Sequence, residues 1–224
     1  MVSAIVPARD EADRVGRTVQ ALRRIAGVGE VLVVDDGSAD GTARVARRAG
    51  ARLVRLSRSG GKALALYVGA RAARGDVLLL ADADLGESAA GLGALCGPVV
   101  DGEADVVVGV PEPGGDGGIG LVRALAGWGG ERLGGATLAA PLCGQRAMRA
   151  AVAPWLLSRQ VRGYGVETYV NVQAGRLGLR VVQCPIRIHH RRYGRGLAGW
   201  LHRGRQLSDV LTTLMHLAGE RQGD

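Results

Sequence analysis

Short apolar runs alternate with helix-period segments along nearly the whole chain, and this constrains its fold more than any other feature. Residues 2–6, 30–34, 51–56, 76–81, 104–109 and 181–188 are rich in Val, Leu and Ile and read as strands. Between and beyond them lie helical patterns over 12–26, 41–49, 62–74, 87–95, 120–133, 149–157, 166–177 and 197–217. In the first of these, Val15, Val19, Leu22 and Ile25 recur at helical spacing. Such alternation predicts an α/β domain, a mostly parallel twisted sheet covered on both faces by crossover helices. A chain of 224 residues is long enough for one such domain with a real core. Phe is absent, so Leu, Val and Ala must fill that core.

Three of the strands end in acidic residues. Leu78-Leu79-Leu80 runs into Ala81-Asp82-Ala83-Asp84, Val31-Leu32-Val33-Val34 into Asp35-Asp36-Gly37-Ser38, and Val2-Ser3-Ala4-Ile5-Val6 into Pro7-Ala8-Arg9-Asp10-Glu11. In a parallel sheet these ends line one crevice, the place where α/β folds bind ligands. Asp82 and Asp84, spaced by one residue, can point to the same side and repel each other unless a cation lies between them. Two hard oxygen donors suit Mg²⁺ or Mn²⁺ shared with a phosphorylated substrate.

The formal net charge is +8, almost all of it from arginine, which fits anionic partners. The interleaved basic and aromatic residues of nucleic-acid binders are missing, so no nucleic-acid partner is expected. Lys62 is the sole lysine and stands beside Gly60-Gly61, where a compact ammonium could meet a diphosphate. Cys96, Cys143 and Cys184 are far apart and odd in number, against a disulfide framework or a paired metal site. Neither a leader pattern nor a span-length apolar run is found, so a cytoplasmic chain is expected, with peripheral membrane contact left open. A literal Gly-x-Gly-x-x-Gly at Gly115, Gly117 and Gly120 lacks the acidic strand end that a dinucleotide site needs.

The ordered motifs Val6-Pro7-Ala8-Arg9-Asp10-Glu11, Val33-Val34-Asp35-Asp36-Gly37-Ser38, Gly61-Lys62-Ala63, Asp82-Ala83-Asp84, Pro141-Leu142-Cys143-Gly144-Gln145-Arg146, Gly163-Tyr164-Gly165-Val166-Glu167 and His190-Arg191 resemble the family 2 glycosyltransferases. Within that family the chain is similar to polyprenyl-phosphate sugar transferases and to glucosyl-3-phosphoglycerate synthases. The resemblance implies one GT-A domain over 1–224: a Rossmann-like nucleotide-sugar half over 1–109, an acceptor half over 110–196 and a C-terminal helix over 197–224. It implies a metal held by Asp84 and Asp82 and completed by His190, with His189 as an alternative. Pro7, Ala8, Arg9, Glu11, Asp36, Asp82 and Ala83 would then face the nucleotide, with Lys62 at its diphosphate. Gly144, Arg146, Tyr164 and Arg191 would face the acceptor, and Glu167 would serve as base or as an orienting group. Where relatives often carry a polar residue two positions past the second aspartate, this chain has Gly86.

The implied reaction moves a hexose from a nucleotide sugar, UDP-glucose before GDP-mannose, to an anionic acceptor. That acceptor is either a small phosphorylated acid or a polyprenyl phosphate. The apolar helix over 120–133 is read first as core and second as a lipid-facing element. The C-terminal helix is read as docked on the domain, with homodimer or membrane contact as alternatives. Two other functions compete: a nucleotidyltransferase, which would want a Gly-rich basic loop after the first strand, and a non-catalytic nucleotide- or phospholipid-binding module.

Overall fold

A computed structural model describes residues 1–112, 120–134, 137–161, 163, 165–188 and 197–220. Seven strands form one sheet: β1 (Val2–Ala8), β2 (Val28–Asp35), β3 (Arg52–Arg55), β4 (Val77–Leu80), β5 (Val106–Pro111), β6 (Arg146–Arg149) and β7 (Val181–Ile186). Their order across the sheet is β3-β2-β1-β4-β6-β5-β7. The chain runs outward from β1 to β3 and then returns to place β4 on the other side of β1. This reversal opens a crevice beyond the C-terminal ends of β1 and β4.

Side-chain alternation divides two cores. Ala4, Val6, Val31, Val33 and Leu79 face one side, where Val15, Val19 and Leu22 of helix α1 (Val15–Arg23) pack. Ile5, Leu32, Val34, Leu78 and Leu80 face the other, against Ala63 and Leu66 of α3 (Gly61–Ala72). The intervening α2 is Thr42–Arg48, and α4 is the single turn Gly97–Val100. Over Gly86–Leu95 the expected helix is a 3₁₀ helix. The expected helix over 149–157 is likewise a 3₁₀ turn, Ala150–Val152, followed by one turn, α6 (Ala153–Leu156).

One strand has no counterpart in the sequence reading. β6 runs antiparallel to both neighbours, with Leu80 opposite Arg146 and Val106 opposite Met148. Four residues that begin and end with arginine show no legible alternation, and the sheet accepts them because β4 and β5 satisfy both of their edges. The antiparallel direction has a consequence for the site. It brings the residues just before β6, Gly144 and Gln145, beside the residues just after β4, Asp82 to Asp84.

Helices α5 (Gly120–Gly134), α7 (Gly165–Arg176) and α8 (Leu197–Glu220) make a third cluster, with Val122 and Ala126 buried against Val210 and Leu214. α5 therefore packs Val122 and Ala126 against α8, which docks on the domain, while Trp128 of α5 is 61% exposed. Arg176 of α7 ties the three ends together, its Nε 3.4 Å from Leu133 O and its Nη2 2.5 Å from Leu217 O. A cation at two helix C-termini complements their dipoles. Among the described residues, no helix is long and apolar enough to cross a membrane.

Candidate active site

The crevice is floored by two loops that brace each other. After β1, Asp10 takes a left-handed conformation (φ 52°), its backbone N–H donates to Ser38 Oγ and its carboxylate accepts from Ala39 N. Glu11 N donates to Thr42 Oγ1, and Ala12 N to Asp40 Oδ2. Pro7, Ala8 and Arg9 thus sit on a fixed rim, with Arg9 Nη1 donating to Ser59 Oγ. Asp35 is fully buried, accepts from Ser38 N and lies 3.2 Å from Arg55 Nε, the behaviour of a turn-former.

Asp36, expected to contact base or ribose, is engaged by the protein itself. Its carboxylate accepts from Ser59 Oγ at 2.8 Å, Gly60 N at 2.7 Å and Gly61 N at 3.0 Å. Both oxygens are spent holding the N-terminus of α3, where unpaired amides favour an anion. Asp36 thereby positions the residue that follows, Lys62.

Lys62 is the hub. Its Nζ lies 2.8 Å from Asp82 Oδ1 and 2.9 Å from Glu167 Oε1. Burial works against its charge, but Asp82 and then Glu167 outweigh that and raise its pKa above the ordinary lysine value. Glu167, in the first turn of α7, is 4% exposed, and among the described residues its Oε2 has no hydrogen-bond partner. Gly144 closes the group. A Cβ there would lie 2.6 Å from Lys62 Nζ, 3.2 Å from Glu167 Oε1 and 3.5 Å from Asp82 Oδ2, so the backbone approaches the charges as only glycine allows.

The Asp82-Ala83-Asp84 turn is held from both sides. Gln145, fully buried, donates from Nε2 to Asp82 Oδ2 at 2.6 Å, and its Oε1 accepts from Asp82 N at 3.1 Å. From α1, Thr18 Oγ1 donates to Ala83 O and accepts from Gly86 N, both at 2.8 Å, while Arg14 Nη1 donates to Asp84 O. Gly86 adopts φ 57°, so its place in the pattern is conformational. Neither Gln145 nor Thr18 stood out in the sequence. Thr18 did leave a signal, being a polar residue on the Val15–Val19–Leu22 stripe of α1.

Arg146 is corrected. It is 2% exposed, and its guanidinium donates to Cys143 O, Pro141 O and Asn171 Oδ1. Every arm of the fork is engaged inside the protein, so it braces the 141–145 loop rather than presenting itself to an acceptor anion. Burial pushes the neighbouring Cys143 thiol up to about 11, which keeps it a neutral packing group. Tyr164, His189, His190, Arg191, Arg192, Arg195, Gly115 and Gly117 lie outside the described residues.

Among the described residues, no group of three or more His, Cys, Asp or Glu converges as a ready-made metal cage. The donors that are present nonetheless fit a divalent cation. Asp82 and Asp84 share one braced turn at the crevice, and Mg²⁺-type sites commonly use one or two carboxylates with water and substrate phosphate as the remaining ligands.

Comparison with known proteins gives the family and the fold. Residues 3–142 match the family described as glycosyl transferase family 2. Among curated proteins, the 4,4'-diaponeurosporenoate glycosyltransferase of Staphylococcus haemolyticus is 34% identical over 90 residues, 38% of this chain and 24% of that protein. The glucosyl-3-phosphoglycerate synthase of Mycolicibacterium paratuberculosis is 34% identical over 93 residues, 38% of this chain and 28% of that protein. These matches therefore span about a quarter of the relatives' own length. Glucosyl-3-phosphoglycerate synthase from Mycobacterium tuberculosis, solved with Mn²⁺, UDP-glucose and phosphoglyceric acid, superimposes with a TM-score of 0.78 and 28% identity, covering 98% of this chain and 80% of that one. With a family match across more than half its length and this crevice at its switch point, the chain belongs to glycosyl transferase family 2.

Proposed function

We propose that the protein transfers glucose from UDP-glucose to a small phosphorylated acid, with Mg²⁺ or Mn²⁺ held by Asp84 and Asp82. The observation that carries this reading is the chain's sole lysine, bridged between a carboxylate at the end of β4 and a buried carboxylate on α7. The likeness to an enzyme solved with Mn²⁺, UDP-glucose and phosphoglyceric acid supports the choice of donor and acceptor class. Val122 and Ala126 of α5 are spent on packing against α8, which supports the soluble acid over the polyprenyl phosphate.

The residues divide the work. When bound, the metal supplies positive charge to the departing diphosphate. Lys62 adds a second, fixed positive charge that needs no reorganisation during the reaction. Pro7, Ala8, Arg9 and Glu11 form the rim that seats the nucleoside, and Asp36 holds the α3 N-terminus towards the phosphates. Gly144 leaves room for the acceptor beside Glu167. The unpartnered Oε2 of Glu167 accepts the acceptor's hydroxyl proton in an inverting reaction, or orients that hydroxyl in a retaining one. The anomeric configuration of the product distinguishes the two.

The test is nucleotide release from UDP-glucose with Mn²⁺, in the presence of 3-phosphoglycerate and, separately, of glycerol. Release should require the metal and the phosphorylated acid. Full activity in excess EDTA, glycosylation of glycerol alone, or tighter binding of GDP than UDP in calorimetry would each overturn the corresponding part of the proposal.

A further inference from the structure

We infer that Gln145 is a positioning residue that fixes the carboxylate of Asp82 for donor binding. The inference rests on the reading of Asp82 as a donor-site residue. Its physical basis is the number and kind of contacts Asp82 makes. Oδ1 is held by Lys62 at 2.8 Å, Oδ2 by Gln145 Nε2 at 2.6 Å, and the Asp82 backbone N–H by Gln145 Oε1 at 3.1 Å. A carboxylate held on both oxygens and at its own amide has one orientation. Removing the clamp takes away two of these three contacts, and the terminal torsion they hold is broad and roughly two-fold.

The chemistry at position 145 is narrowly specified. The group must donate to a carboxylate oxygen and accept from a backbone N–H on the same neighbour. A primary amide does both from adjacent atoms. The partners also fix which amide atom is which, since Asp82 N–H can only donate and the ionised carboxylate can only accept. An ionised carboxylate in place of the amide would keep the acceptor but set a second negative charge against Asp82 Oδ2. Lysine or arginine would lose the acceptor.

The clamp is placed by the backbone, independently of the side chain. Gln145 O accepts from Gly109 N at 2.9 Å, joining the start of β6 to β5, while Arg146 pairs with Leu80 of β4. The fully buried side chain is therefore delivered to the end of β4 by the antiparallel strand between its two neighbours. Polar partners that orient a ligand-binding side chain typically matter by about 10- to 100-fold in metal affinity or activity when removed.

The experiment compares wild type with Gln145→Glu and Gln145→Met. Binding of UDP in the presence of Mn²⁺ is followed by calorimetry, and unfolding by differential scanning calorimetry. We expect the Kd for UDP with Mn²⁺ to rise about 10-fold or more in both variants. Gln145→Glu should be the worse, with the folded baseline intact at the assay temperature. A double-mutant cycle with Asp82→Ala supplies the readout that a merely structural role would not move: once Asp82 is gone, Gln145→Met should have no further effect on nucleotide binding. Binding within 2-fold of wild type in both variants, additive losses in the cycle, or failure of both variants to fold would each overturn the inference. If the wild type itself bound no uridine nucleotide, the donor reading would fall instead.

Discussion

Gly144→Ala adds one methyl group at the point where Lys62, Glu167 and Asp82 meet. The new Cβ would stand 2.6 Å from Lys62 Nζ. An ordinary carbon contact begins near ~3.5 Å, so the ammonium must retreat by roughly 1 Å. It cannot do so while keeping bridges of 2.8 Å to Asp82 and 2.9 Å to Glu167. A displacement of ~1 Å at a reacting site costs about 100-fold in rate, or about 2.7 kcal/mol of transition-state stabilisation. Stability should fall by less than the ~3–5 kcal/mol of a buried pair broken outright, because the long lysine stem can swing while Glu167 keeps part of its attraction. The assay is kcat/KM for nucleotide release from UDP-glucose with 3-phosphoglycerate, beside a thermal melt. Gly97→Ala is the control, since a Cβ there meets no atom within 4 Å and the change in backbone entropy is alike. A Gly144→Ala enzyme within 3-fold of wild type, or one no worse than the control, would refute the reasoning.

Further expectations follow from the same geometry. Arg146→Met leaves two buried acceptors, Cys143 O and Asn171 Oδ1, without a donor, Pro141 O keeping the Asn171 amide, at about 1–3 kcal/mol each, so calorimetry should show a fall in Tm of roughly 4 °C or more; a small fall with a raised acceptor KM would restore the anion-binding role first expected of Arg146. Asp84→Ala should abolish Mn²⁺-dependent UDP binding in a protein that melts normally, and retained metal-dependent binding would remove Asp84 from the site. As the sole lysine, Lys62 gives a single side-chain resonance in a lysine-labelled sample. Its pKa is raised, so the stability its charge contributes is fully present below the ordinary lysine value of about 10.4 and is lost only as pH climbs through the higher folded value. The resonance should hold still from pH 6 to about 10.5, and a titration step near pH 9 would contradict the bridged geometry.

Sequence alone determined the layers. Unbroken apolar runs such as Val31-Leu32-Val33-Val34 and Leu78-Leu79-Leu80, set between helix-period segments, require a sheet covered on both faces, because each strand carries an apolar side in both directions. The acidic strand ends at Asp36 and Asp82 and the lone Lys62 stood out as candidates, since local patterns announce charge where a core strand stops, and Glu167 came with the family resemblance. Tertiary structure decided what those charges do. Asp36 binds backbone amides because the α3 N-terminus folds back to within 2.7 Å of it. Arg146 is structural because carbonyls and Asn171 surround its fork. Gln145 reaches Asp82 from 63 positions away because an antiparallel strand too short to show a period slips between β4 and β5. Contacts of that sequence separation leave no local periodicity. They depend on which strand lies beside which, and pairing across the sheet fixes that only when the whole chain has folded.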